Sequence, residues 1–305
     1  MTHWHSLWNL ITFMIAVFLF TQSVEAQAIV ASRCTTGVHE AEALGTVSFP
    51  HGQIFCPLLA DPKEPRSFLS YLRGKFRTLD DPSGDDTHIG AVGLGDSFGL
   101  IRWGGPKQGE GVQLDAVGSV FAQFDLGTPS NDIINADYII GLPLTIRRNG
   151  FSARIKIYHQ SSHLGDEFLL RDQEIQRENL SFESVELLLS QEMGPLRAYA
   201  GGEELFRHEP DALAAQLVHG GLELRTGSAG TRQFVAAVDL KATTQHDWSL
   251  ATSIRTGLEV ASSAEADRSL RLVSLLLELY QGPSPYGQFF QDDIKYVGIG
   301  LHLGF

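Results

Sequence analysis

From residue 67 onward, apolar and polar side chains alternate with a period of two, the pattern of strands that present two different faces. Val112, Leu114, Ala116, Gly118, Val120, Ala122 and Phe124 fall on one face, against Gln113, Asp115, Ser119, Gln123 and Asp125 on the other. Phe234, Ala236, Val238, Leu240 and Ala242 alternate in the same way with Gln233, Asp239, Lys241 and Thr243, and Trp248, Leu250, Ile254, Leu258 and Val260 with Ser249, Ser253, Arg255 and Glu259. The pattern predicts about twelve strands, near 67–77, 86–104, 111–125, 135–147, 151–162, 178–192, 195–207, 214–226, 231–244, 247–260, 268–281 and 292–305. Most run for roughly 9–15 residues, beyond the usual globular strand of about 5–6 and suited to a tilted crossing of a bilayer. No helix pattern intervenes. The expected fold is all-β: a single antiparallel transmembrane β-barrel with an irregular N-terminal extension.

The connections sort themselves. The turns at 148–150, 193–194 and 227–230 are short, whereas those near 126–134, 163–177 and 282–291 are longer. Counting back from Phe305, the short ones fall on the side of both termini and the long ones opposite, as in outer-membrane barrels with periplasmic ends.

Upstream of the strands, Ile11–Phe20 is an apolar run of about ten residues, too short to span a bilayer but right for a signal-peptide core. Val24 and Ala26 predict cleavage before Gln27, although Met1–Leu10 carries only His3 and His5 where a signal usually has Lys or Arg. A retained anchor or an unusual helix is the alternative. The chain then divides into a signal peptide at 1–26, a Pro-containing periplasmic extension or inner plug at 27–66, and the barrel at 67–305. Cys34 and Cys56 both lie in the extension, where export to an oxidising compartment favours a disulfide over two buried thiols.

Composition adjusts this picture only slightly. The 305 residues carry 23 Lys+Arg against 36 Asp+Glu, a net charge of −13. Such a chain repels phosphate backbones, so no nucleic-acid partner is expected. Its mean hydropathy of −0.04 excludes a polytopic helical membrane protein but not a barrel, whose two faces average out.

The alternation also marks an anomaly. On the strand Phe151–Ser162, His159 and Ser161 continue the apolar face of Phe151, Ala153, Ile155 and Ile157, near the external end. Ionisable residues facing lipid are costly and usually functional. Positions i and i+2 stand about 7 Å apart, close enough for an imidazole to lean toward a hydroxyl and activate it. A hairpin centred near Leu170 would set Asn179 and Ser181 opposite Ser161 and His159, so that Asn179, or alternatively Glu183, orients the imidazole. Asp166, Glu167 and Asp172 in the connecting loop offer carboxylates for Ca²⁺. The bland alternative is a hydrogen-bonded polar cap at the rim.

Several segments carry resemblances. Asp137-Tyr138, Tyr158–Glu167 and Pro285–Phe289, with the terminal strand, resemble an uncharacterised bacterial family of predicted outer-membrane barrels. The strand Lys295–Phe305 resembles the closing strand of bacterial outer-membrane barrels, which implies recognition of Phe305 by the barrel assembly machinery and residence in the outer membrane of a Gram-negative-type bacterium. His159-Gln160-Ser161 is similar to the His-x-Ser motif of outer-membrane phospholipase A and lipid A deacylase. That resemblance implies a serine esterase with catalytic His159, Ser161 and Asn179, acting on outer-membrane lipid or lipopolysaccharide. Those enzymes follow the Ser with Asn; here Ser162-His163 follows.

Two rivals remain open: a structural or small-pore barrel, with Arg154, Lys156, Asp239 and Lys241 plugging or lining a narrow lumen, and a soluble periplasmic lipid-binding barrel. His219 falls in phase with Glu223 and Arg225 and suggests a lumenal network. Trp103, Tyr138 and Trp248 suit interfacial girdles. The Gly-rich stretch Gly90–Gly99 lacks a following helix and is no dinucleotide site.

Overall fold

The computed structural model describes residues 45–76, 87–107, 109–171, 179–213, 215–226, 232–262 and 271–304; the segment 1–26 expected to be a signal peptide, Cys34, Asp172 and Phe305 lie outside these. The strands are β1 (Thr46–Ser48), β2 (Ser67–Lys75), β3 (Thr87–Gly104), β4 (Gly111–Asp125), β5 (Ile133–Arg148), β6 (Phe151–Leu164), β7 (Leu180–Met193), β8 (Leu196–Glu209), β9 (Gln216–Thr226), β10 (Arg232–Thr243), β11 (Leu250–Ser262), β12 (Arg271–Pro283) and β13 (Asp293–Gly304). Each of β2 to β13 pairs antiparallel with its sequence neighbour, and β13 returns to β2, with Leu301 opposite Leu69. The twelve-stranded barrel is therefore closed, and β3 is one unbroken strand as the sequence pattern predicts. Closure leaves no strand from β2 to β13 at an edge; β1 alone among the described strands has a single neighbour.

Two elements escape the period-two pattern. β1 has only three residues and extends the wall beside β3, with Val47 opposite Arg102. The short helix α1 (Asp166–Arg171) sits in the β6–β7 loop and buries Phe168. Neither is long enough to show a period.

The two faces of the wall are chemically opposite. Outward stand Ile140, Leu142, Ile155, Ile157, Leu187, Leu222, Leu275, Ile299 and many like them, all substantially exposed. So broad an apolar surface does not suit water. Inward stand Gln113, Asp115, Arg154, Lys156, Glu186, Glu223, Asp239 and Arg255, all buried.

These buried charges are matched by a segment of the chain itself. Residues 50–66, between β1 and β2, lie inside the ring of strands, with Ile54, Cys56, Leu58, Leu59 and Ala60 fully buried. Their backbone has left the sheet, and buried carbonyls need new donors. Arginines supply them in sequence order. Arg102 of β3 donates to His51 O and Gly52 O at 2.8 and 2.9 Å, and Arg147 of β5 to Ile54 O at 3.1 Å. Arg197 of β8 donates to Pro57 O at 3.4 Å and Arg255 of β11 to Leu59 O at 3.1 Å. Ion pairs complete the fit: Arg154 with Glu64 at 2.8 Å, Lys241 with Asp61 at 2.6 Å, and Lys63 with Asp137. Burial opposes ionisation of Asp61, but Lys241 outweighs it and holds the carboxyl below the usual carboxylate range.

Apolar contacts follow the same segment. Leu59 and Ala60 pack on Val235, Ala237 and Leu276, and Phe55 and Leu58 on Leu188 and Tyr199. Where the chain enters, Pro50 presses on β3 at Gly99, whose added Cβ would lie 2.5 Å from Pro50 O. The glycine there admits a crossing backbone, which gives part of the Gly-rich stretch its structural reason.

An aromatic cluster fills the other end of the lumen. Phe168 of α1 meets Phe289 edge-on at 5.9 Å, and Phe76, Tyr280 and Tyr296 stack beneath. Two of the long connections thus fold inward instead of standing free.

Candidate functional site

The ends of the barrel are named here by their connections. Among the described residues the loop end carries 126–132, 165–171, 210–213, 244–249 and 284–292; the turn end carries the two-residue links at 149–150 and 194–195. Exposed Trp103 and Phe151 mark the outer wall near the turn end, and Tyr138 and Trp248 near the loop end. Tyr138 is the cross-strand partner of Ser161. From Phe151 to Ser161 the strand advances about 33 Å at about 3.3 Å per residue, or about 25 Å along the axis at a tilt near 40°. That matches the apolar band of membrane barrels, about 25 Å tall, and sets Ser161 at the band's loop-end edge.

The outward placement of His159 and Ser161 agrees with the alternation: Tyr158, Gln160 and Ser162 point inward and are buried. The partner strand differs from expectation by two residues. Glu183, not Ser181, faces His159, and Ser181, not Asn179, faces Ser161. The α1 turn takes up residues that a simple hairpin would have placed in the ladder. Asn179 instead donates to Glu209. Glu183, the alternative orienting group, takes the position beside the imidazole, with Oε1 3.1 Å from His159 Nδ1.

A β-bulge tunes this contact. Between Glu183 and Ser184 the β7–β8 register shifts, so that Phe206 is extra and Arg207 comes opposite Glu183. Arg207 Nε then lies 3.7 Å from Glu183 Oε2, so one carboxylate stands between the Arg207 guanidinium and the His159 imidazole. With Nδ1 facing a carboxylate, Nε2 is left as the atom to accept a proton. Ser161 is two residues along the same face, and no hydrogen bond joins it to His159 among the described residues.

Of the loop carboxylates, Asp166 and Glu167 occupy the first turn of α1, and Asp172 lies outside the described residues. Among the described residues no group of three or more His, Cys, Asp or Glu could hold a metal ion. Cys56 carries no free thiol, its sulfur lying 3.3 Å from Glu192 Oε1 and 3.6 Å from Arg147 Nη1; Cys34 lies outside the described residues. His219 is lumenal as its phase implies, 3.8 Å from Asp239, while Glu223 pairs with Arg197 and Arg225.

A second constellation, on the inner face, was not singled out from sequence. Asp137, fully buried, accepts hydrogen bonds from Ser162, from Asn135 at 3.1 Å and from the Gly287 amide at 3.2 Å, and pairs with Lys63. Gln288 donates to Ser162 O at 2.8 Å. A Cβ on Gly287 would lie 2.6 Å from Ser162. Tyr286 caps the knot 5.0 Å from the Lys63 ammonium, and burial raises its phenol above the ordinary value. Asp137-Tyr138, Tyr158–Glu167 and Pro285–Phe289, distant in sequence, thus meet at one buried acid. That recurrence of quoted segments was the available signal. Their role here is to lock loop, wall and inner segment together.

Comparison with known proteins adds the following. Residues 20–305 match the family described as "Protein of unknown function (DUF1207)". No curated protein matches the chain. Among solved structures, outer membrane phospholipase A from Escherichia coli is similar at 13% identity and a TM-score of 0.53, over 80% of this chain and 93% of that one. The calcium-bound dimer of the Salmonella typhi outer membrane phospholipase is similar at 14% identity and a TM-score of 0.53, over 80% and 94%. At these identities the likeness is one of fold: the barrel resembles those of outer-membrane proteins.

Proposed function

The chain belongs to the DUF1207 family of proteins of unknown function, and we propose that it is a plugged outer-membrane β-barrel that hydrolyses a lipid acyl ester on its outer wall. The observation that carries this reading is the 3.1 Å contact of Glu183 with His159 Nδ1, beside Ser161 on the outward face. The carboxylate fixes the tautomer that leaves Nε2 to take the Ser161 proton. Ser161 Oγ then forms a bond to the ester carbonyl carbon, His159 returns the proton to the departing alkoxide, and water releases the fatty acid from the acyl-serine. The depth of Ser161 supports it, because the edge of the apolar band is where ester carbonyls of a lipid leaflet lie. Its partners on this reading are outer-membrane lipid or lipopolysaccharide, and the barrel assembly machinery through Phe305.

The filled lumen argues against a pore and against a soluble barrel that holds lipid inside. One observation favours a non-enzymatic barrel: Arg207 shares Glu183 with His159, and Ser161 stands apart from the imidazole. Serine-imidazole contacts often tighten only with substrate bound, so fatty-acid release decides between the two readings. Wild-type protein in mixed micelles with phospholipid or lipid A should release fatty acid, and S161A should release none while keeping heat-modifiable gel migration. Undiminished release by S161A would overturn the assignment; no release by the wild type would favour the structural barrel.

A further inference from the structure

Inside the barrel Arg102, Arg147, Arg154, Arg197, Lys241 and Arg255 stand against carboxylates or backbone carbonyls. The outer wall shows a different arrangement at one seam. On β2 and β13, Lys75 and Lys295 are direct cross-strand partners, and both are exposed. Their phase is outward, because Phe76, Ile294 and Tyr296 on either side are buried inside. Arg73, two residues along β2 and also exposed, stands opposite Val297 on β13 and His88 on β3. Like charges directly opposite in a sheet repel and destabilise it. Among the described residues of these two strands the outward carboxylate is Asp293, at the start of β13, and Arg73 has its own partner within the chain, so Lys75 and Lys295 are the cations set face to face. This occurs in a chain of net charge −13, where a chance cluster of cations is unexpected.

The position is as informative as the charge. Both lysines lie at the loop end, beyond Leu69, Val297, Ile299 and Leu301, which form the apolar wall of the same strands. Tyr71, hydrogen-bonded to His88, stands level with Ile299, and Val297 stands level with Arg73, one step short of the paired lysines. An apolar wall with ammonium groups above it follows the vertical order of a lipid molecule, acyl chains and then phosphate. The geometry points to a lipid-phosphate site at the β2–β13 seam, in which the phosphate of an anionic lipid of the loop-end leaflet bridges Lys75 and Lys295. Arg73 is engaged within the chain, so the two lysines carry the site. A phosphate between them removes the cross-strand repulsion and fixes the barrel's depth and rotation in the leaflet. The inference rests on the membrane placement proposed above and is independent of hydrolysis.

The test measures binding of fluorescent phosphatidylglycerol to the full chain in zwitterionic micelles, with phosphatidylcholine and inorganic phosphate as competitors. The wild type should bind, phosphatidylcholine should compete poorly, and added salt should weaken binding. The K75Q/K295Q variant should bind about tenfold more weakly, and K75R/K295R should keep its affinity. Equal binding by K75Q/K295Q would overturn the site, and full competition by inorganic phosphate would assign it to a soluble anion instead. Heat-modifiable migration separates the two ideas. A chain that never inserts refutes the membrane placement, whereas one that inserts without preferring phosphatidylglycerol refutes only the site.

Discussion

Arg154 grips Glu64 through both terminal guanidinium nitrogens, at 2.8 and 3.1 Å, while its Nε and Nη2 reach Glu186 at 3.2 and 3.0 Å. Strand β6 thus clamps the inner segment with one face and presents His159 with the other. Rigidity of the wall under the candidate site depends on what fills the barrel behind it.

Removing one member of this clamp leaves a buried charge without its partner. R154A and E64A should each destabilise the barrel by about 3–5 kcal/mol, and a shape-matched R154M/E64L pair by much less. The temperature of the heat-modifiable gel shift measures both. Equal losses for the single and double variants would contradict the coupling.

The inner segment should also hold the barrel closed to ions. Wild-type protein in a planar bilayer is expected to show no conductance steps. A variant with residues 51–64 replaced by a short Gly-Ser linker should conduct, provided its heat-modifiable migration is retained. Steps from the wild type would show that the segment leaves the lumen.

The Asp61–Lys241 pair sets a pH dependence. Because the folded carboxyl is held below its ordinary value, its contribution is complete above about pH 4 and is lost as pH falls through the depressed folded value. The stability difference between wild type and D61N should therefore be constant from pH 8 to pH 5 and shrink in stronger acid. A difference that grows on acidification would reverse the assigned sign.

Gly287 tests the buried knot. Its added Cβ would lie 2.6 Å from Ser162 and 2.9 Å from Asp137 Oδ1, both held by hydrogen bonds. G287A should cost about 1–3 kcal/mol and expose the 284–292 loop to protease. Wild-type resistance to proteolysis would count against the knot as the loop's anchor.

At the outer wall, Glu183 and Arg207 should behave differently. If the carboxylate orients His159, E183A should lower fatty-acid release by about 10²–10⁴-fold. R207A should have a smaller effect, because Arg207 touches Glu183 and not the imidazole. Comparable losses would move Arg207 into direct contact with lipid.

The sequence by itself determined which face each side chain takes. Period two is a property of the extended backbone, so the outward course of β6, the inward course of Arg154 and the length of β3 were all legible before any neighbour was known. Register was not. A shift of two residues keeps every side chain on its face while changing every partner, and it was enough to replace Asn179 by Glu183 beside His159. The Arg207 contact depended on a bulge that no periodicity reports. Only the tertiary structure decided that residues 50–66 occupy the lumen, although Leu188, Val235, Ala237 and Leu276, apolar residues on the polar inward face, were a trace of it. Long-range ion pairs such as Lys63 with Asp137 depend on three-dimensional proximity, which a local pattern of polarity does not encode.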